Sequence, residues 1–111
     1  MEEAVPLVFT VESAEFFSVG RALQRGFGKR AIGEVTLAVR NKVLSIDCDS
    51  GGGQMASEGE GEISAWLKAS AFCTLITSRF REKAPVGPMK LVFRPGIREV
   101  AIAGAGVKAR Y

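Results

Sequence analysis

The spacing of apolar residues along the chain switches between two periods. Residues 7–11 (LVFTV) form a short apolar run and predict a strand. Helix signals follow at once. Ser13 is a candidate N-cap and Glu15 puts a negative charge in the first turn, where it complements the helix dipole. Phe16, Val19, Gly20, Leu23 and Phe27 then recur at intervals of three and four, one face of a helix. At about 100° per residue, Ala14, Ser18, Arg21, Arg25 and Lys29 fall on the opposite face. Gly26 and Gly28 are candidate stops.

Residues 33–40 (GEVTLAVR) alternate, with Val35, Leu37 and Val39 on one side. Asn41-Lys42 is a two-residue turn signal, and residues 43–49 alternate again through Leu44, Ile46 and Cys48. Together they predict a β-hairpin with one buried face. Ser50 to Gly53 is expected to be a flexible loop, residues 54–62 a polar strand, and residues 63–68 (ISAWLK) a short strand. Ser70 is the expected cap of a second helix over 71–80, with Phe72, Leu75, Ile76 and Phe80 as its apolar stripe. Residues 84–88 break it, and strands are expected at 89–94, 97–103 and 107–111, with Pro95-Gly96 as a turn.

The predicted order is βα, four strands, α, then three strands, and each half places a strand before a capped helix and strands after it. Short hairpin connections imply antiparallel sheets and an α+β class, with both helices packed on one face and their polar stripes exposed together. A chain of 111 residues with 47% apolar content fits one domain over 1–111. It has too few charges in excess for a disordered chain and no apolar run long enough for a membrane span. The acidic Met-Glu-Glu-Ala start is unlike a secretory signal, so a cytoplasmic location without membrane association is expected.

There is no histidine, which removes the commonest general base and metal ligand and every Ser-His or Cys-His pair. The expectation is a non-enzymatic protein without metal or cofactor. Cys48 and Cys73 sit among apolar neighbours and read as buried free thiols. The net charge of +3 hides an asymmetry: residues 1–67 carry six cations and ten carboxylates, residues 68–111 nine cations and two. Such grouping is compatible with a polyanionic partner or with an ordinary mixed surface.

The element order, over essentially the whole chain, resembles one domain of the DNA sliding clamps, in particular the bacterial polymerase III beta-subunit clamp. Three segments carry the texture: residues 16–23, where an apolar stripe leads into a basic end; residues 63–76 (ISAWLKASAFCTLI), a strand running into the second helix; and residues 90–102 (KLVFRPGIREVAI), the hairpin after it. The resemblance implies that helices line a central hole and sheets form the outer wall, with helix cations meeting the phosphates of duplex DNA. Carried onto this chain, the DNA-facing candidates are Arg21, Arg25, Lys29 and Arg30 from the first helix and its end, and Arg79, Arg81 and Lys83 from the second. The helical wheel separates Arg21, Arg25 and Lys29 from the apolar stripe before any family is considered, although a solvated helix face accounts for that column equally well.

The bacterial clamp subunit has three such domains, and two subunits close a ring of six; this chain has the length of one. A homo-oligomeric ring is the implied state, with protein partners of replication or repair; the alternative is a stand-alone interaction module, an inhibitor or adaptor that uses the fold without DNA. Asp47 and Asp49 share one side of a strand and read as a solvated face rather than a divalent-ion site. Glu58, Glu60 and Glu62 are expected to alternate onto an acidic outer surface, and Trp66 to be packed, or partly exposed at a subunit edge. Gly26 to Arg30 and Gly104 to Lys108 lack the full phosphate-loop spacing and read as turns.

Overall fold

A computed structural model of the chain describes residues 5–27, 33–49, 51–77, 86–103 and 107–111. The elements run β1 (Leu7–Glu12), α1 (Ser13–Phe27), β2 (Glu34–Arg40), β3 (Val43–Cys48), β4 (Gly51–Glu58), β5 (Ile63–Lys68), α2 (Ala69–Thr77), β6 (Pro88–Arg94), β7 (Glu99–Ile102) and β8 (Val107–Arg110). Among the described residues the eight strands form one antiparallel sheet in the order β5-β2-β3-β4-β1-β6-β7-β8. The class is α+β, as the alternation predicts.

The topology contains a duplication. Split after β4, each half is a strand, a helix and three strands, and the first strand of each half pairs with the second strand of the other: β1 with β6, and β5 with β2. The hairpins β2-β3-β4 and β6-β7-β8 then correspond. Within the first half β1 also pairs with β4, through Thr10 opposite Glu58 and Val11 opposite Ser57, which joins the spatial groups β5-β2-β3-β4 and β1-β6-β7-β8 into one sheet. The equivalent pairing of β5 with β8 is not made; these strands are the two ends of the sheet. The sheet curls so that the start of β5 and the residue after β8 nevertheless line one groove, which makes the layer nearly a barrel.

Burial follows the period of two. Phe9, Leu37, Leu44, Ile46, Leu67, Leu91 and Phe93 are fully buried, and the residues between them are exposed or half-buried. The helices cover this apolar side, α1 with Phe16, Phe17 and Leu23 and α2 with Phe72, Leu75 and Ile76. Asn41 and Lys42 both take positive φ, 50° and 60°, the geometry of a two-residue type I′ turn whose twist suits the flanking strands.

Several boundaries differ from expectation. Gly51 to Gly53 are not a loop but the start of β4, paired with Cys48, Asp47 and Ile46. Gly53 lies beneath Val19, which would collide with any side chain there. The strand stops at Glu58, so Glu60 and Glu62 belong to the connection into β5. Ser70 is inside α2, which starts at Ala69, and the expected helical residues 78–80 lie outside the described ones. Residues 95–98 form the turn before β7, so that strand starts at Glu99 rather than Ile97. Cys48 and Cys73 are unbonded to each other, as expected, but only half-buried.

Two glycines hold close approaches that a side chain would block. A Cβ on Gly20 would overlap Ile76, one of the contacts, with Phe27 against Phe72, through which α1 and α2 approach. Gly59, at φ 148°, would overlap the carbonyl oxygen of Val8 where the chain leaves β4 across β1. Gly20→Leu is expected to cost about 2 kcal/mol in urea unfolding through overpacking, and Ile76→Ala should cost less in that background than in the wild type. Gly59→Ala is expected to cost at least about 1 kcal/mol, because strained backbone meets backbone that cannot rotate away.

Candidate nucleic-acid interface

The outward face of α1 is built as the helical wheel implies. Ala14, Ser18, Arg21 and Arg25 are all exposed, and Phe16, Gly20 and Leu23 are buried on the other side. Phe17, which the three-and-four spacing does not assign to the core, is buried as well. Its ring meets Phe16 edge-on at 5.5 Å and carries the Arg21 guanidinium at 5.9 Å. The Arg25 Nε donates to the Arg21 carbonyl at 3.4 Å. Both cations are therefore laid along the helix, one over an aromatic face and one against the backbone, with their charge still at the surface.

A groove of about 490 Å³ runs beside them, with Ser18 and the two arginines on one wall and Val86 and Gly87 on the other. Ser13 fixes the wall by donating its backbone N–H to the Gly87 carbonyl at 3.0 Å. Ser13 is nearly fully buried at the start of the helix. Glu12 at the mouth is the groove's carboxylate. Of the seven cations expected to face DNA, Arg21 and Arg25 are brought together here; Lys29, Arg30, Arg79, Arg81 and Lys83 lie outside the described residues.

The other side of the sheet carries charge in two blocks. Residues 34–68 expose six carboxylates (Glu34, Asp47, Asp49, Glu58, Glu60 and Glu62) against Arg40, Lys42 and Lys68. Residues 86–111 reverse this, with Lys90, Arg94, Arg98, Lys108 and Arg110 exposed against the single carboxylate of Glu99. Glu99 is 8% exposed and accepts from Arg94 at 3.4 Å. The outer wall is thus acidic on β2–β5 and basic on β6–β8, whereas the sequence reading foresaw only an acidic one. The signal was present: Lys90 and Arg94 alternate with Met89, Leu91 and Phe93, and Lys108 and Arg110 with Val107 and Ala109.

Trp66, expected to be packed or partly exposed at a subunit edge, is 64% exposed on this outer face, on the strand at one end of the sheet. Strand β5 buries Ala65 and Leu67, so the pleat turns the indole away from the core. Trp66 lines a second groove, of about 600 Å³, with Glu62, Ile63, Pro95, Arg98 and Tyr111. Arg98 and Tyr111 clasp one another. The Arg98 Nε donates to the Tyr111 carbonyl at 2.8 Å, the Tyr111 N–H donates to the Arg98 carbonyl at 2.8 Å, and the guanidinium lies 5.9 Å over the ring.

Among the described residues no group of three or more His, Cys, Asp or Glu side chains is placed to hold a metal ion, and no helix is long and apolar enough to cross a membrane. Asp47 and Asp49 are simply exposed at the end of β3. Burial pushes the Cys73 thiol above its ordinary range. No family profile, curated protein or solved structure matches the chain.

The clasp gives a pH expectation. Burial pushes the Tyr111 phenol above its ordinary value near 10, with the Arg98 charge pulling the other way. A raised folded value favours the neutral phenol, so this contribution to stability is complete below about pH 10 and lost as the pH climbs through the folded value. Tyr111 is the only tyrosine. Its absorbance titration at 295 nm should have a midpoint above that of free tyrosine, and removing the opposing charge while keeping cover on the ring, by Arg98→Met, should raise it further.

Proposed function

We propose that the protein is a non-enzymatic, sliding-clamp-like module that assembles into a ring and binds duplex DNA without sequence preference through its helix face. The observation that carries this reading is the exposed Arg21–Arg25 stripe on α1, on the side of the helix turned away from the sheet. Phosphate contacts of this kind need only charge at the surface and no base readout, which is what permits sliding. The element order supports the resemblance, since it is a strand, a helix, strands, a second helix and further strands.

Ring closure has a physical basis in the unpaired ends of the sheet. Strand β5 ends an acidic sheet half and β8 a basic one, so β5 of one copy pairing with β8 of the next would satisfy both edges and bring opposite charges together. Six copies would supply the six domains of a clamp ring. The acidic outer face of β2–β5 favours a second reading, an adaptor that docks a basic protein partner and leaves DNA alone.

Charge reversal separates the two. If the helix face holds DNA, Arg21→Glu/Arg25→Glu should abolish retention of a labelled duplex and, as each cation is removed, lower the slope of log affinity against log salt by about one per phosphate contact. Retention unchanged by the double reversal would exclude the helix face as the DNA surface. An adaptor would instead keep its protein partner in the double variant.

A further inference from the structure

We propose that the outer wall at the β5–β8 seam is a binding surface for a single nucleic-acid strand, distinct from the helix face, with a base stacked on Trp66 and phosphates held by Arg98, Lys108 and Arg110. It uses no residue of α1 and does not depend on ring closure.

Three observations converge on it. Trp66 is the only tryptophan of the chain and stands 64% exposed on a strand fixed by pairing to β2. A large indole left in water forgoes a substantial burial term, and a rigid, exposed aromatic face is what a base needs to stack on. Second, the cations of residues 86–111 are collected on the same outer side by the alternation of β6 and β8, where the carboxylate among them, Glu99, is taken up by Arg94; the groove's own carboxylate, Glu62, lies on the β5 side. Arg94, Glu99 and Arg110 form one cross-strand row at the end of the sheet where the groove opens.

Third, Arg98 is held in a left-handed conformation at φ 52°, which costs a non-glycine residue free energy. The double hydrogen bond with Tyr111 and the stacking over its ring maintain that conformation, fixing a guanidinium at the groove wall beside Trp66. A fixed cation next to an exposed aromatic face is the pairing by which single strands are bound, the phosphate on one and the base on the other. A duplex offers phosphates but no free base face, and an acidic protein segment would neutralise the cations without using the indole.

Trp66 emission reports the site directly. An oligo-dT of about twelve nucleotides, titrated into the full chain, should quench Trp66 and bind in a salt-sensitive manner. Measured by anisotropy of the labelled oligonucleotide, Trp66→Ala should weaken binding about tenfold. Lys108→Glu/Arg110→Glu should weaken it at least as much, and Arg21→Glu/Arg25→Glu should leave it unchanged. Lys108→Gln/Arg110→Gln serves as the same test if circular dichroism shows the reversed variant unfolded. The proposal is overturned if oligo-dT leaves Trp66 emission unchanged. It is equally overturned if polyglutamate of equal charge displaces the oligonucleotide as well as unlabelled oligo-dT does, or if binding is lost on reversing Arg21 and Arg25 and kept on reversing Lys108 and Arg110.

Discussion

The exchange of first strands between the two halves of the chain is the constraint on which the rest depends. Strand β1 lies between β4 of its own half and β6 of the other, so Thr10 sits between Glu58 and Lys90, and Val11 between Ser57 and Met89. Neither half completes its sheet without the other, and a slip of one residue at β1 would turn Phe9 and Val11 out of the core. The long β1–β6 register carries that pairing, while the junction with β4 is two residue pairs long and passes under Gly59. The same exchange leaves β5 and β8 at the ends of the sheet.

Much of this was legible in the residues. The alternation of Val35, Leu37 and Val39 against Leu44 and Ile46, with Asn41-Lys42 between them, specifies a hairpin almost by itself, and the helical wheel of α1 places Arg21 and Arg25 outside correctly. What escaped depends on contacts between segments distant in sequence. Gly51 to Gly53 have the composition of a loop but form strand because β3 supplies a hydrogen-bonding edge and Val19 occupies the space a side chain would need. Residue type left Trp66 between packing and exposure at an edge, and the pleat decides for exposure because its neighbours Ala65 and Leu67 take the inward positions of β5. Phe17 lies beside the apolar stripe of α1, and its burial comes from the position of the helix on the sheet, which no periodicity reports.

The charge distribution is the part of the sequence arithmetic that the fold changes most. The basic excess of residues 68–111 is compatible with a polyanionic partner or a mixed surface, and the described cations from 86 onward stand on the outer wall rather than on a helix. The molecule therefore presents cations on two opposite sides, a pair on α1 and a larger group on β6–β8, with an acidic patch on β2–β5. At moderate salt, exposed charges act over roughly 10 Å, so surfaces on opposite sides of the sheet layer act separately. One side carries the Arg21 and Arg25 pair of the proposed clamp contact; the other lies beside an aromatic groove.

Association of copies bears on the clamp reading, because a lone chain has open edges at β5 and β8 and too little helix surface to surround a duplex. The most direct measurement is the mass of the protein in solution by light scattering over a range of concentrations. The account requires a discrete species near six times the 11.9 kDa of the chain, with salt weakening an interface that joins an acidic edge to a basic one. A species that stays at 11.9 kDa at every concentration and salt tested would contradict it.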